Sequence, residues 1–391
     1  MSGERMTLRY GMNPHQRPAF VSTDTERLPV RVLNGSPGYI NLLDALNSWQ
    51  LVRELHTATD LPAAASFKHV SPAGAAIGTP LSDMERQAYF VATRDLSPLA
   101  TAYARARGAD RVSSYGDFVA LSDPVDVPTA RLLRPEVSDG VIAPGYEPDA
   151  LDLLRAKKGG KYLVLCIDPA YEPPEMESRD VFGLTLVQQR NSTPITRSDL
   201  QHITTQAHTL PESAVCDLLI ALITLKYTQS NSVCLALNGQ AIGIGAGQQS
   251  RIHCTRLAAS KAEMWYLRQH PTVLALPFRR DVRRPDRDNA IDQYLRADMT
   301  SAEERDWVRL FEQRPVMLSR EEQRAWLDGL CSVSLASDGS IPFRDNIDRA
   351  QRTGVRYVAQ PGGSARDADV VAACDEYGIV MVDTGVRLFH H

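Results

Sequence analysis

Residues 61–74 read Leu61-Pro62-Ala63-Ala64-Ala65-Ser66-Phe67-Lys68-His69-Val70-Ser71-Pro72-Ala73-Gly74, an apolar run that ends on a lysine beside a histidine and then turns. An apolar segment bounded by turn formers predicts a buried strand whose last residues present two basic side chains to a loop. Neighbouring strand residues point to opposite faces, so Lys68 and His69 can serve one site only at a strand end, where the alternation relaxes. Histidine takes a proton near neutral pH, and lysine donates one or stabilises a growing negative charge. Taken alone, these residues favour a snorkelling lysine and a core histidine bonded to a carbonyl. The rest of the chain reverses that reading.

Upstream, Asn41 followed by Asp44 predicts a helix start, after which Leu42, Ala45, Leu46, Trp49, Val52 and Leu55 share one face. A second helix is expected from Pro211 and Glu212, burying Ala214, Leu218, Leu222 and Leu225. A third runs through Leu257, Lys261, Met264, Trp265 and Leu267. Strands are expected at Tyr162 to Ile167, Val233 to Leu237, Ala241 to Ile244 and Gly378 to Val382, with Asn238-Gly239 as a hairpin turn. Helices and strands alternate throughout, which gives an α/β or α+β architecture. Ser138-Asp139-Gly140-Val141-Ile142 echoes Ser337-Asp338-Gly339-Ser340-Ile341, as a duplicated unit would.

With 391 residues the chain exceeds one simple core, so two or three structural units are expected. Hydrophobic residues at 43% and charged residues at 23% are ordinary for a soluble globular protein, and a net charge of -4 gives no reason to expect nucleic-acid binding. Cys166, Cys216, Cys234, Cys254, Cys331 and Cys374 form no C-x-x-C pair, so neither a zinc site nor a disulfide framework is indicated. Met1 to Arg5 lack a signal-peptide core, and the apolar run Leu218 to Leu225 is far short of a membrane span. The expectation is a cytoplasmic protein without membrane partners. Arg279 to Asp288 mixes arginine with aspartate and reads as a solvated connector rather than a phosphate patch.

Several loops gather donors and acceptors. Arg9-Tyr10-Gly11-Met12-Asn13-Pro14-His15-Gln16 offers a guanidinium fork for phosphate or carboxylate and a flat phenol for a base. Lys226 to Ser232 is similarly dense. Gly243-Ile244-Gly245-Ala246-Gly247 carries a G-x-G-x-G pattern but lacks the dinucleotide-binding context. Its glycines are expected to let backbone amides approach a ligand, with Arg251 as an anion contact at the following helix. Pro342 to Asn346 and Gln360 to Ala365 are two more polar, turn-rich loops. Hydrolase-elbow, P-loop, H-E-x-x-H and zinc-deaminase patterns do not occur.

Taken in order, these segments, with Ala102-Tyr103-Ala104-Arg105-Ala106-Arg107-Gly108 and Arg387 to His391, resemble the transformylase portion of the bifunctional AICAR transformylase/IMP cyclohydrolase family. AICAR is aminoimidazole carboxamide ribotide. The resemblance runs from Leu8 to His391 and implies a 10-formyltetrahydrofolate-dependent formyltransferase of purine biosynthesis. It implies that His69 accepts the proton of the attacking AICAR amine and that Lys68 stabilises developing charge and assists the leaving folate nitrogen. Arg9, Tyr10, Asn41, Gly116, Asp139, Asn231, Arg251 and Arg387 match ribotide-site positions, and Ile252, Asp345, Ser364 and Ala365 match folate-site positions. The implied fold is α/β, with two cytidine-deaminase-like subdomains without zinc in an intertwined homodimer that shares its active sites. The subdomains are expected at 1–174 with 268–332, and at 175–267 with 333–391. The resemblance also carries a buried potassium ion near Asp338 and the Thr228 to Ser230 loop.

Two departures stand out. The cyclohydrolase domain is not expected in this sequence, so a separate IMP cyclohydrolase is expected in the pathway. Ser340 and Ile341 replace two family phenylalanines, the first of which stacks near the bound base, a change worth on the order of 1 kcal/mol. The favoured reading is AICAR formyl transfer. The alternatives are the same chemistry on an AICAR-like ring in specialised metabolism, and a catalytically silent relative, against which the retained Lys68 and His69 argue.

Overall fold

The structure is a computed structural model that describes residues 4–23, 25–296 and 298–391. Short strands β1 (Arg5–Thr7) and β2 (Phe20–Ser22) pair with each other, and β3 (Val30–Asn34) follows. Next come α1 (Tyr39–Thr59), the hairpin β4 (Ala63–Lys68) and β5 (Ser71–Ile77), α2 (Asp83–Ala88), α3 (Pro98–Ala109), β6 (Asp117–Leu121), α4 (Val127–Leu133), β7 (Ser138–Ala143), α5 (Pro148–Arg155) and β8 (Leu163–Ile167). A separate hairpin, β9 (Met176–Val181) and β10 (Leu184–Gln189), leads to α6 (Glu212–Lys226), β11 (Val233–Leu237), β12 (Gln240–Gly245) and α7 (Arg251–Leu267). Helices α8 (Pro271–Leu274), α9 (Arg284–Leu295), α10 (Ser301–Val308) and α11 (Arg320–Leu327) precede β13 (Val333–Ser337), α12 (Asp345–Gln351), β14 (Val355–Gln360), α13 (Asp367–Tyr377) and β15 (Val380–Asp383).

One mixed sheet of eleven strands, ordered β15-β14-β13-β11-β12-β5-β4-β6-β7-β8-β3, organises the chain. Strands such as β6 and β8 are buried at every residue and read as continuous apolar runs, because helices cover both faces. Helices α1 and α6 pack on one face around Leu42, Trp49, Leu218 and Leu222. Helices α3 and α7 cover the other around Ala106, Ala258 and Ala262. The fold is therefore an α/β sandwich. No helix among the described residues is long and apolar enough to cross a membrane.

The sheet is built twice. In the first half β5 and β6 both flank β4 antiparallel, and β6, β7 and β8 run parallel. In the second half β12 and β13 both flank β11 antiparallel, and β13, β14 and β15 run parallel. The halves join antiparallel, with Gln240 opposite Ala76. In this correspondence β13 matches β6. The pentapeptide at Ser138 opens β7 whereas the one at Ser337 closes β13, so that echo does not mark the duplication.

Close strand–helix approach marks it better. A Cβ on Gly74 would stand 2.1 Å from the Ala106 carbonyl of α3; on Gly243 and Gly245 it would stand 2.1 Å from the Ala258 and Cys254 carbonyls of α7. Gly243 and Gly245 thus seat a helix on its strand, and the expected role in approaching a ligand is corrected. The connector at Arg279 to Asp288 is also corrected. Arg284 begins α9, and Asp288 is buried against Arg111 at 2.9 Å. Helix α1 begins at Tyr39, two residues before the expected Asn41. Asn41 Oδ1 accepts the Gly38 amide at 2.9 Å, while Asp44 lies inside the helix and caps nothing there.

Candidate active site

Between β4 and β5 the chain reverses in two residues, His69 and Val70, with Lys68 opposite Ser71. Both turn residues take positive φ, 54° and 59°. Such tight turns favour Asn-Gly, and a β-branched valine there is strained by roughly 1–3 kcal/mol. The surroundings hold it. Asp44, buried on α1, accepts the Val70 amide on Oδ1 at 2.7 Å. Burial pushes the Asp44 carboxyl up from its usual range, the Val70 amide and His69 pull it down, and Asp139 pushes it up further.

His69 is exposed and Lys68 half-buried at the lip of an open cleft of about 290 Å³. Lys68 Nζ donates to the Tyr115 carbonyl at 2.6 Å. Gly116 follows with φ 75°, and its amide donates to the Val137 carbonyl at 2.9 Å. Behind this loop, fully buried Asp117 accepts Ser66 Oγ at 2.7 Å and Arg107 Nη1 at 2.8 Å. On the opposite wall Arg9 Nη2 donates to Asn41 Oδ1 at 3.3 Å, and its guanidinium lies 5.7 Å from the Tyr10 ring centroid. Asp139 accepts Lys158 Nζ at 3.1 Å.

The structure brings Arg9, Tyr10, Asn41, Lys68, His69, Gly116 and Asp139 into this cleft. It places the other expected ligands elsewhere along the same sheet end. Arg251 Nη2 donates to Asn231 Oδ1 at 3.0 Å and Nη1 to the Ser232 carbonyl at 2.8 Å, while Nη1 also pairs with buried Asp338. Arg387 lies 4.7 Å over the Phe389 ring. Ile252 is the second residue of α7, which Thr255 ties to α12 through Asn346 Oδ1 at 2.8 Å, beside Asp345. Ser364 and Ala365 follow β14, where Ser364 donates its amide to Asp367 Oδ2 at 2.9 Å. At about 4.8 Å per strand, β11 lies about 14 Å and β14 about 24 Å from β4.

Sequence reasoning missed Asp44 as a site residue, along with the Tyr115 carbonyl and Asp117. The available signal was a lone carboxylate inside an apolar helix face, which reads equally well as a helix start. The spacing of Tyr115 and Asp117 carried none.

The fold and the cleft define a duplicated α/β protein with opposed acids and bases at one sheet end. A family model described as the AICARFT/IMPCHase bienzyme matches residues 1–261. Bifunctional purine biosynthesis proteins PurH from two strains of Cereibacter sphaeroides are 32% identical over 389 residues, covering 98% of this chain and 59% of theirs. The PurH of a third strain is 31% identical over the same share. The chain belongs to the AICARFT/IMPCHase bienzyme family. It spans 59% of the length of these relatives.

Proposed function

We propose that this chain is an AICAR formyltransferase that moves the formyl group of 10-formyltetrahydrofolate to the 5-amino group of AICAR in purine biosynthesis. The observation that carries the reading is the strained Lys68-His69-Val70 turn, held open to a cleft that also presents Arg9, Tyr10 and Asn41. The AICAR amine attacks the formyl carbon, forming a C–N bond and an oxyanion. His69 takes the amine proton, and Lys68 stabilises the oxyanion. The bond to the folate N10 then breaks, with N10 taking a proton from Lys68 or the imidazolium. The phosphate is assigned to Arg9 and the base to the Tyr10 face. An assay of 10-formyltetrahydrofolate consumption with AICAR tests the reading, and no transfer would overturn it.

A second copy of the chain completes the site in this proposal. The cleft around Lys68 gathers Arg9, Tyr10, Asn41, Gly116 and Asp139, while Asn231, Arg251, Arg387 and the folate set Ile252, Asp345, Ser364 and Ala365 do not line it within one copy, and a second copy would bring them to it. The β9–β10 hairpin supports it too, being exposed along its length with Met176, Val181, Phe182, Leu184, Leu186 and Val187 facing solvent. We assign the halves to cytidine-deaminase-like subdomains without zinc, 1–174 with 268–332 and 175–267 with 333–391, on the strength of the duplicated strand order.

The potassium ion carried over near Asp338 meets a carboxylate that already pairs with the buried Arg251 guanidinium and accepts the Ser230 and Ser232 hydroxyls, so these residues do not fit a further cation and none is assigned to them. A second reading, formyl transfer to an AICAR-like ring, is favoured by Ser340, which offers no aromatic face and donates to the Gly362 carbonyl at 2.8 Å.

A further inference from the structure

The duplication repeats a device as well as a strand order. Asp44 is the sixth residue of α1, and Asp217 is the sixth residue of α6, the corresponding helix. Each faces the two-residue turn of its own hairpin. Asp217 Oδ2 accepts the Asn238 amide at 3.0 Å and Oδ1 the Gly239 amide at 2.8 Å. Asn238 and Gly239 take φ 53° and 84°, as a tight turn of this type requires. Asp44 accepts the Val70 amide at 2.7 Å, with the His69 amide beside it.

Both carboxyls are buried, and desolvation raises both, Asp217 to about 6. The turns differ in kind. Asn-Gly adopts positive φ readily, so the second clamp serves the fold alone. His-Val resists it, so the first clamp holds a strained turn that carries an ionisable ring at the cleft.

We infer that Asp44 is a positioning residue for formyl transfer, which clamps the His69–Val70 turn and so fixes where the imidazole is presented at the cleft. The inference rests on the reading of His69 as the base. The bond to the Val70 amide holds the turn that carries the ring, and with it the direction from which His69 meets the AICAR amine. The other groups around Asp44 are Lys68 on the hairpin, Arg9 and Tyr10 on the amino-terminal segment, Tyr39 on α1, and Asp139 on β7 with its partner Lys158. Replacing Asp44 by asparagine keeps an acceptor for the Val70 amide and removes only the charge.

The test compares Asp44→Ala, Asp44→Asn, His69→Ala and the Asp44→Ala/His69→Ala double variant in formyl transfer from 10-formyltetrahydrofolate to AICAR. Asp217→Ala serves as a folding control. Asp44→Ala is expected to lower kcat about tenfold or more with little change in KM, and Asp44→Asn, which keeps the acceptor, to recover most of that loss. The loss should vanish in the His69→Ala background, because the two residues act through one proton transfer. Asp217→Ala should lower the melting temperature and leave kcat in place. Independently of turnover, the His69 ring resonance, identified by its loss in His69→Ala, should change position in Asp44→Ala and return in Asp44→Asn. An unchanged kcat in Asp44→Ala, no recovery in Asp44→Asn, or equal losses in both backgrounds would overturn the role of Asp44 while His69 keeps its own. A near-normal rate for His69→Ala would overturn the base reading, and the role of Asp44 with it.

Discussion

Lys68 Nζ sits 2.6 Å from the Tyr115 carbonyl oxygen, so the loop entering β6 parks the ammonium at the lip of the cleft. The Asp117–Arg107 pair and the Gly116–Val137 hydrogen bond fix that loop from behind. Lys68→Ala should lower kcat by roughly 100-fold or more and leave the fold intact, the scale expected for a lost charge-stabilising donor. Lys68→Arg should recover little, because a planar guanidinium does not place a compact point charge where the Lys68 ammonium sits. Steady-state kinetics with circular dichroism on both variants checks this. A near-normal rate for Lys68→Ala would end the assignment.

Burial would raise the Glu136 carboxyl, but Arg111, Arg107 and Arg284 overcome it and hold the group at about 2. The folded value lies below the unfolded one of about 4.3, so this contribution is present above that pH and fades as pH falls towards 2. Glu136→Gln should therefore destabilise most at neutral pH, by about 3 kcal/mol, since it strands buried guanidinium charge. The gap from the parent should narrow below about pH 4. Denaturant titrations at pH 7 and pH 3.5 measure it, and a gap that does not change with pH would refute the linkage.

If β9–β10 is a dimer arm, charging its tip should separate the copies. Phe182→Asp with Leu184→Asp should shift sedimentation from dimer to monomer and abolish formyl transfer, because each site would lose its second wall. A dimer that persists at full activity would exclude the arm.

Ser340 donates to the Gly362 carbonyl at 2.8 Å instead of offering a ring. Ser340→Phe should tighten AICAR binding by up to about tenfold, roughly 1.4 kcal/mol. Binding constants for AICAR and one bulkier analogue discriminate between the two substrate readings. A native preference for the analogue that Ser340→Phe abolishes would favour the AICAR-like ring.

Much of this was legible in the chain. The apolar run before Lys68 predicted β4, Asn238-Gly239 predicted its hairpin, and Pro211 marked the start of α6. Local patterns suffice where an element is defined by its own residues. The duplication was legible only as a suspicion, and the pentapeptide offered for it proved out of register, because strand order is a property of pairing between distant segments. Gly243 and Gly245 looked like a ligand loop because a glycine needed for close helix packing and one needed for ligand approach leave the same sequence trace. Asp44 was hidden for a related reason. Only the tertiary structure brings the turn it clamps against the inside of α1.

The most direct test of the central claim is the rate of 10-formyltetrahydrofolate consumption by the purified chain with AICAR, for the parent and for His69→Ala. The account predicts AICAR-dependent turnover in the parent and a loss of roughly 100-fold or more in a folded His69→Ala variant. Absence of AICAR-dependent turnover in the parent, or near-equal rates in the two proteins, would contradict it.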